Sequence, residues 1–192
     1  DVAIITLKRI SNFTDFHSLE IQPDVSVRYV MPGDAIGNPD LLILPGSKNT
    51  IEDMQVLQDS GIVDEIRKCA DQGVRIFGIC GGFQLLGKKI SDPNHVESEL
   101  DEIEGLGQVQ AEHEGQLLEG YEIHMGETEI SDQVSPFSRI VLQNGQETSR
   151  YDGAVSPDKR IQGTYLHGVF DNSQWTRDYL NQIRMEKGLE PI

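Results

Sequence analysis

The stretch Val74-Arg75-Ile76-Phe77-Gly78-Ile79-Cys80-Gly81-Gly82 decides the fold, because an apolar strand leads directly into a cysteine that glycines flank. Residues 83–87 continue as a predicted helix, so the cysteine lies in a strand-to-helix turn. Such a turn needs small neighbours, since its backbone is strained and other parts of the chain pass close by. We therefore predict a nucleophile elbow, with the Cys80 sulfur at a helix N-terminus that favours a thiolate.

Cys80 could instead be an ordinary buried thiol, which is how we interpret Cys69 on the apolar side of its predicted helix. The glycines around Cys80 at the carboxyl end of a strand favour the functional interpretation, because ligands bind at that end of open α/β sheets. The N–H of Gly81 is then placed to stabilise an oxyanion.

Three other apolar runs predict strands, at residues 2–5, 25–30 and 41–44. The run at 41–44 is apolar at every position, which is typical of a parallel strand buried on both faces. Between it and the elbow strand, apolar residues in Thr50–Asp71 recur about every 3.6 residues and predict a helix that Gly61 interrupts. The order strand, helix, strand predicts a doubly wound α/β domain.

The second half of the chain alternates short strand-like pieces with turn glycines. We predict a solvated acidic loop at 97–104 and a closing helix at 173–187. The pieces at 109–111, 121–124, 139–142 and 151–155 predict antiparallel strands, either added to the main sheet or forming a small second sheet. No repeat or linker divides residues 1–192, so we predict a single domain. The chain begins as a strand without an initiator Met, so we expect a fragment of a longer polypeptide.

The charge of the chain disfavours several classes of partner. Of 192 residues, 32 are acidic and 16 basic, which gives a formal net charge of −16. This charge repels nucleic-acid phosphates and anionic membrane surfaces, and no stretch reaches the roughly 18 apolar residues that a membrane span requires. The two cysteines argue against a disulfide framework, so we expect a reducing, cytoplasmic location.

A cysteine nucleophile needs a base, and histidine is the usual one. Three of the five histidines lie among polar or acidic residues and are predicted to be at the surface: His17, His95 and His113. His124 lies in the compact stretch 120–126, which could line a pocket. His167 ends a predicted strand and precedes Gly168, a position from which an imidazole can reach across a cleft. We therefore take His167 as the first candidate for the base.

The stretch Leu44-Pro45-Gly46-Ser47-Lys48-Asn49-Thr50 leads from the third strand into the predicted helix. Backbone N–H groups there can bind either a phosphate or an oxyanion. The spacing is not that of a Walker A loop, and the negative charge of the chain favours the second interpretation. We predict that Gly46 is a second oxyanion donor facing Cys80.

Together, the stretches 9–16, 44–50, 78–84, 120–126 and 164–170 resemble a known family. They resemble class I, or triad-type, glutamine amidotransferases, and among these the amidotransferase domains of the cobyric acid synthase family. The resemblance implies a flavodoxin-like α/β fold, with a mostly parallel central sheet, flanking helices and added antiparallel strands.

The resemblance also implies the chemistry. Cys80 would attack the carboxamide of glutamine to give a glutamyl thioester and ammonia, with His167 transferring the protons. Gly46 and Gly81 would hold the oxyanion, and Gln84 would help to position glutamine. Tyr121 and His124 are further candidates for substrate binding, with contact to a partner domain or a structural role as open alternatives.

The same resemblance implies partners outside this domain. An N-terminal synthetase domain, using ATP and Mg²⁺, would activate carboxylates of a corrinoid acceptor, adenosylcobyrinic acid a,c-diamide, and ammonia would pass to it. No cofactor or metal is expected in the glutaminase domain itself. The alternatives are another acceptor (cobyrinic acid a,c-diamide or a peptidoglycan precursor), a non-catalytic binding domain of this fold, and a cysteine hydrolase or peptidase.

Two positions depart from the family pattern. One is His17, where the resemblance leads us to expect an acid, and the other concerns the partner of His167. Many class I members carry a glutamate two residues beyond the histidine, where it orients the imidazole. Here that position is Val169. The sequence therefore leaves the group that orients His167 unassigned.

Overall fold

The computed structural model describes residues 1–92, 100, 102–105, 118–122, 128–130, 134–144 and 146–192. The candidate residue His124, the predicted strand 109–111 and the second half of the predicted strand 121–124 lie outside these ranges. The predicted surface residues His95 and His113 also lie outside them.

Ten strands are defined within the described residues. In chain order they are β1 (Val2–Ile5), β2 (Val27–Val30), β3 (Leu41–Leu44), β4 (Arg75–Ile79), β5 (Lys89–Ser91), β6 (Glu102–Glu104), β7 (Ser138–Gln143), β8 (Gln146–Asp152), β9 (Ala154–Val155) and β10 (Ile161–Thr164).

The main sheet has the strand order β2-β1-β3-β4-β10-β9. The pairs β1–β2, β1–β3, β3–β4 and β4–β10 are all parallel, and β9 is added antiparallel to β10 at one edge. The strand that carries the elbow, β4, lies between β3 and β10. The predicted α/β fold with a mostly parallel sheet and added antiparallel strands is therefore confirmed.

Helices cover both faces of this sheet. They are α1 (His17–Glu20), α2 (Thr50–Asp59), α3 (Ile62–Asp71), α4 (Gly81–Leu85) and α5 (Ser173–Glu186). The break between α2 and α3 falls at Gly61, which has a φ of +77°, as the sequence predicted. Asn49 begins α2, and its side-chain oxygen accepts a hydrogen bond from the N–H of Glu52 at 3.0 Å.

Alternate residues of the strands build an apolar core on each face. On one face, buried strand residues such as Ile43 and Phe77 pack with Trp175 and Tyr179 of α5. On the other face, the strands pack against the apolar sides of α2 and α3. Cys69 belongs to this second core and is 3 % exposed, so its predicted structural role is confirmed.

Two details differ from the sequence prediction. Residues 102–104 of the predicted acidic loop form β6, because Ile103 lies opposite Ile90 in a hairpin with β5 and Lys89 pairs with Glu102 at 2.6 Å. The predicted strand 151–155 is divided by Gly153, which has a φ of +68°. Residues before this glycine belong to the β7–β8 hairpin, and those after it belong to the main sheet.

Candidate active site

Cys80 occupies a strained turn between β4 and α4. Its φ of +51° and ψ of −111° place it outside the usual regions for a residue with a side chain. The Cys80 N–H donates to the carbonyl of Thr164 at 2.8 Å, while its own carbonyl accepts from the N–H of Phe83 at 3.0 Å. The surrounding sheet thus holds a conformation that typically costs about 1–3 kcal/mol, and the predicted elbow is confirmed.

The glycines after Cys80 are needed because the loop that follows β3 crosses directly over the elbow. A Cβ on Gly82 would overlap the carbonyl of Leu44, and a Cβ on Gly81 would come within 2.7 Å of the Ser47 nitrogen and 3.1 Å of the Thr50 hydroxyl. The structure therefore brings together the two stretches from which both oxyanion donors were predicted.

This loop, residues 45–49, is held from two sides. The Ser47 hydroxyl donates to the Asp53 carboxylate at 2.7 Å and accepts from the Asn49 N–H at 2.9 Å. The Gly46 carbonyl accepts from the N–H of Ser11 at 2.9 Å. A Cβ on Gly46 would lie 3.0 Å from Cε1 of His167. Gly46 thus lies beside the imidazole, and its role as an oxyanion donor stays a prediction.

His167 lies three residues beyond the end of β10, so the prediction that it ends a strand was wrong by this distance. The strand stops at Thr164 because the buried carboxylate of Asp152 accepts hydrogen bonds from the Thr164 hydroxyl and, at 3.0 Å, from the N–H of Tyr165. Beyond this point His167 forms a two-way backbone bridge with Tyr121, at 2.8 and 3.2 Å. The bridge fixes the backbone from which the imidazole projects.

The group that orients His167 is Asp15. Nδ1 of His167 lies 2.7 Å from Oδ2 of Asp15, and both side chains are almost fully buried. The other carboxylate oxygen, Oδ1, accepts from the N–H of Gly168 at 3.0 Å and from the Asn12 amide at 2.9 Å. Since Asp15 binds Nδ1, the other ring nitrogen, Nε2, is left for Cys80.

The sequence analysis did not assign Asp15 as the group that orients His167, because it considered only the position two residues beyond the histidine. Val169, at that position, is fully buried in the apolar core and has no polar role. Asp15 is 152 residues away in the sequence. A signal was present, since the stretch Phe13-Thr14-Asp15-Phe16 places an acid within one of the motifs that carried the resemblance.

These contacts set the charge of the imidazole. Burial alone would lower the pKa of His167, but hydrogen bonds to Asp15 and to Cys80, together with their charges, raise it to about 9. His167 is therefore protonated at neutral pH. A protonated imidazole beside a cysteine sulfur is the charge partner that nucleophilic cysteines use.

The remaining predicted residues surround this group. The ring of Tyr121 stacks on the imidazole, with centroids 5.2 Å apart and planes 16° from parallel, and its hydroxyl accepts from the Asn12 amide at 2.6 Å. The side-chain oxygen of Gln84 accepts from the Thr50 hydroxyl at 2.9 Å. The structure thus gives Tyr121 a contact with the base, while substrate binding by Tyr121 and Gln84 stays a prediction.

The described residues contain neither a group of metal ligands nor a membrane-spanning helix. Within those ranges, no three side chains of His, Cys, Asp or Glu are grouped as metal ligands would be. None of the helices in the described part of the chain is long and apolar enough to cross a membrane.

The chain matches a family model described as the CobB/CobQ-like glutamine amidotransferase domain, over residues 1–175. It is 66 % identical to a protein named cobyric acid synthase from Streptococcus sanguinis, which it matches over 100 % of its own length and 42 % of the relative. It is 50 % identical to the cobyric acid synthase of Limosilactobacillus reuteri, over 100 % of this chain and 41 % of that protein. The chain thus spans about two fifths of the length of these relatives.

A solved structure shares the fold. A crystal structure of a glutamine amidotransferase superposes with a TM-score of 0.61, covering 95 % of this chain and 97 % of the other at 17 % identity. At this identity the likeness concerns the fold alone.

Proposed function

Because the chain belongs to the family of CobB/CobQ-like glutamine amidotransferase domains, we propose that it is the glutaminase part of a cobyric acid synthase. The resemblance inferred from the motifs is confirmed by the family match and by the relatives. The observation that carries the proposal is the buried contact of His167 with both Asp15 and Cys80 at the end of β4.

The reaction follows from this arrangement. The Cys80 thiolate attacks the side-chain carbonyl carbon of glutamine, and the C=O electron pair moves to oxygen. When the tetrahedral intermediate collapses, the imidazolium of His167 gives the Nε2 proton to the departing nitrogen, which leaves as ammonia. A γ-glutamyl thioester remains on Cys80.

The second half of the cycle uses the same groups in reverse. Neutral His167 takes a proton from water, the resulting hydroxide attacks the thioester carbon, and the C–S bond breaks to release glutamate. The thiolate and imidazolium are restored. Throughout, Asp15 accepts the Nδ1–H hydrogen bond and so keeps Nε2 directed at the reacting atoms.

Both tetrahedral intermediates carry a negative oxygen. The N–H groups of Gly81 and Gly46 are proposed to bind it, since the loop 45–49 crosses the elbow and places both glycines at the site. A donor of this kind typically contributes about 3–4 kcal/mol to transition-state stabilisation. Gln84 is proposed to hold the amide of the incoming glutamine from the first turn of α4.

The ammonia needs an acceptor, which we propose lies outside this chain. The relatives extend well beyond the matched region, which leaves room for an ATP-dependent, Mg²⁺-requiring synthetase domain. In this proposal ammonia passes to that domain and amidates carboxylates of a corrinoid, adenosylcobyrinic acid a,c-diamide.

Two free thiols at Cys69 and Cys80 support a cytoplasmic location.

The assay that tests the proposal is glutamate release from glutamine. We expect release by the wild type, loss in Cys80→Ala, and wild-type release in the matched control Cys69→Ala. The same assay, run with the synthetase domain, ATP, Mg²⁺ and the corrinoid, should yield amidated corrinoid. Equal release by wild type and Cys80→Ala, or none by the wild type under either condition, would overturn the proposal.

A further inference from the structure

The loop 45–49, which connects β3 to α2, lies directly against the elbow. A Cβ on Gly81 would come within 2.7 Å of the Ser47 nitrogen and 2.9 Å of the Ser47 Cβ. Oxyanion donors are effective only at hydrogen-bond distance from the reacting oxygen, and a displacement of about 1 Å can lower a rate by about 100-fold. Whatever holds this loop in place therefore influences the rate of the reaction.

Two backbone hydrogen bonds hold the loop from one neighbouring segment. Residues 9–11 pair with the loop in an antiparallel bridge, in which Ile10 lies opposite Ser47. The Ser11 N–H donates to the Gly46 carbonyl and the Lys48 N–H donates to the Arg9 carbonyl, both at 2.9 Å. These bonds fix the residues before and after Ser47, and they depend on no particular side chain.

The side chain of Ser47 supplies a further contact, to the buried carboxylate of Asp53. Asp53 is the fourth residue of α2 and is 1 % exposed. Its Oδ2 accepts from the Ser47 hydroxyl at 2.7 Å, and the hydroxyl oxygen accepts from the Asn49 N–H at 2.9 Å. Because the Asn49 N–H can only donate, the hydroxyl proton must point to Asp53. A carboxylate makes this a strong hydrogen bond, so Asp53 fixes the orientation of Ser47.

A carboxylate is an expensive choice for this position of the helix. The other buried positions of α2 include Ile51, Met54 and Leu57, which are apolar. Burial raises the pKa of Asp53, and the hydrogen bond from Ser47 and the N–H and charge of Arg9 offset this only in part. An apolar side chain would fill the same space without this cost. Packing of the core therefore does not explain Asp53, whereas its contact with the loop does.

We propose that Asp53 is a positioning residue of the glutaminase reaction. Through Ser47 it holds the loop 45–49 at the distance from Cys80 at which the loop binds the oxyanion. Asp53 itself does not touch the substrate. The inference rests on the proposed glutaminase function, and it adds the hydrogen-bonded pair of Ser47 and Asp53 to the groups on which the rate depends.

Substitutions of the pair test this role through the kinetics of glutamate release. Asp53→Leu keeps the branched shape of the side chain without an acceptor, and Ser47→Ala removes the donor. Each should lower kcat by about 10- to 100-fold and change KM much less, because the loop acts on the transition state. The double variant should lose no more than either single variant, since both remove the same hydrogen bond. Asp53→Asn retains an oxygen acceptor and should lose less activity than Asp53→Leu.

Alkylation of Cys80 by iodoacetamide separates the position of the loop from the state of the nucleophile. The sulfur displaces iodide from a saturated carbon, so this reaction needs the thiolate but forms no tetrahedral oxyanion. The rate of alkylation of the peptide that contains Cys80, followed by mass spectrometry, should stay close to the wild-type rate in all these variants. The matched control is Asp59→Asn, at the exposed end of the same helix, which should change neither kcat nor alkylation.

The outcomes distinguish this inference from the proposed function. An active wild type with unchanged kcat in Asp53→Leu and Ser47→Ala would overturn the inference alone, and an inactive wild type would overturn both. Equal losses of kcat and of alkylation, additive losses in the double variant, or equal losses in Asp53→Asn and Asp53→Leu would also overturn the inference. Thermal unfolding shows whether Asp53→Leu is folded; if it is not, Ser47→Ala, which leaves the core of α2 unchanged, decides the result.

Discussion

Replacing Asp15 with asparagine should reverse the tautomer of His167. Oδ1 of Asp15 accepts two fixed donors, the N–H of Gly168 and the amide of Asn12, so the side-chain oxygen of an asparagine must stay at that position. The Asn12 amide keeps its orientation, because its oxygen accepts from the backbone N–H of Thr14 at 3.3 Å, a group that can only donate. The NH₂ group of asparagine would therefore face Nδ1 of His167 and donate to it.

The expected effect on catalysis is large. With a donor at Nδ1, the ring proton must move to Nε2, and the imidazole can no longer accept a proton from the thiol. The lost hydrogen bond between His167 and Asp15, 2.7 Å long and charge-assisted, contributes about 1.5–3 kcal/mol. The loss of this hydrogen bond alone should therefore lower kcat by at least about 10- to 100-fold, since each 1.36 kcal/mol in the activation free energy changes the rate tenfold. The tautomer change adds to it, and an aspartate-to-asparagine change in a serine-protease triad costs about 10⁴-fold.

We therefore expect Asp15→Asn to lower kcat for glutamate release by about 100- to 10,000-fold. NMR titration of the His167 ring should show its pKa falling from about 9. Asp171→Asn is the matched control, because Asp171 also lies beside Gly168 but binds Ser18, at 2.6 Å. An unchanged kcat and pKa in Asp15→Asn, or equal losses in both variants, would refute the role of Asp15.

Three more predictions concern pH and the packing of the elbow. Folding raises the pKa of His167 from 6.5 to about 9, so its contribution to stability is complete below pH 6.5 and is lost as the pH rises through 9. The free energy of unfolding of the wild type should therefore fall between pH 6.5 and 9, and that of His167→Gln should change less. Gly46→Ala places a methyl group against the Ser11 hydroxyl and 3.0 Å from the imidazole, so kcat should drop about 100-fold. Steady-state kinetics measure this drop, and the melting temperature of the variant should stay unchanged. Gly82→Ala drives a methyl group into the Leu44 carbonyl and should destabilise the fold by about 3 kcal/mol or more, as measured by denaturant unfolding; unchanged stability would mean that the loop does not cross the elbow as described.

The parallel sheet was predictable because its strands carry their own signal. Buried parallel strands are apolar on both faces, and the run 41–44 shows this at each position. The elbow was predictable for a similar reason, since its strain demands glycines next to Cys80 in the sequence itself. The fold and the nucleophile could therefore be predicted from residues that are neighbours in the sequence.

The rest of the site depends on contacts that no local pattern records. Asp15 reaches His167 only after the segment before α1 folds against the loop after β10, 152 residues away in the sequence. The sequence also predicts one strand over 151–155, whereas Gly153 divides it with a positive φ. That φ is set by the place where the hairpin leaves the main sheet, which the local sequence does not show.

The central claim is that Cys80 forms a covalent bond with the γ-carbonyl of glutamine. The most direct measurement is mass spectrometry of the protein quenched in acid during turnover of glutamine, followed by peptide mapping. The account predicts a γ-glutamyl thioester on the peptide that contains Cys80, greater occupancy at early times than in unreacted protein, and none on Cys69, which is buried in the core. Glutamate release without any adduct on Cys80, or an adduct on Cys69 in its place, would contradict the account.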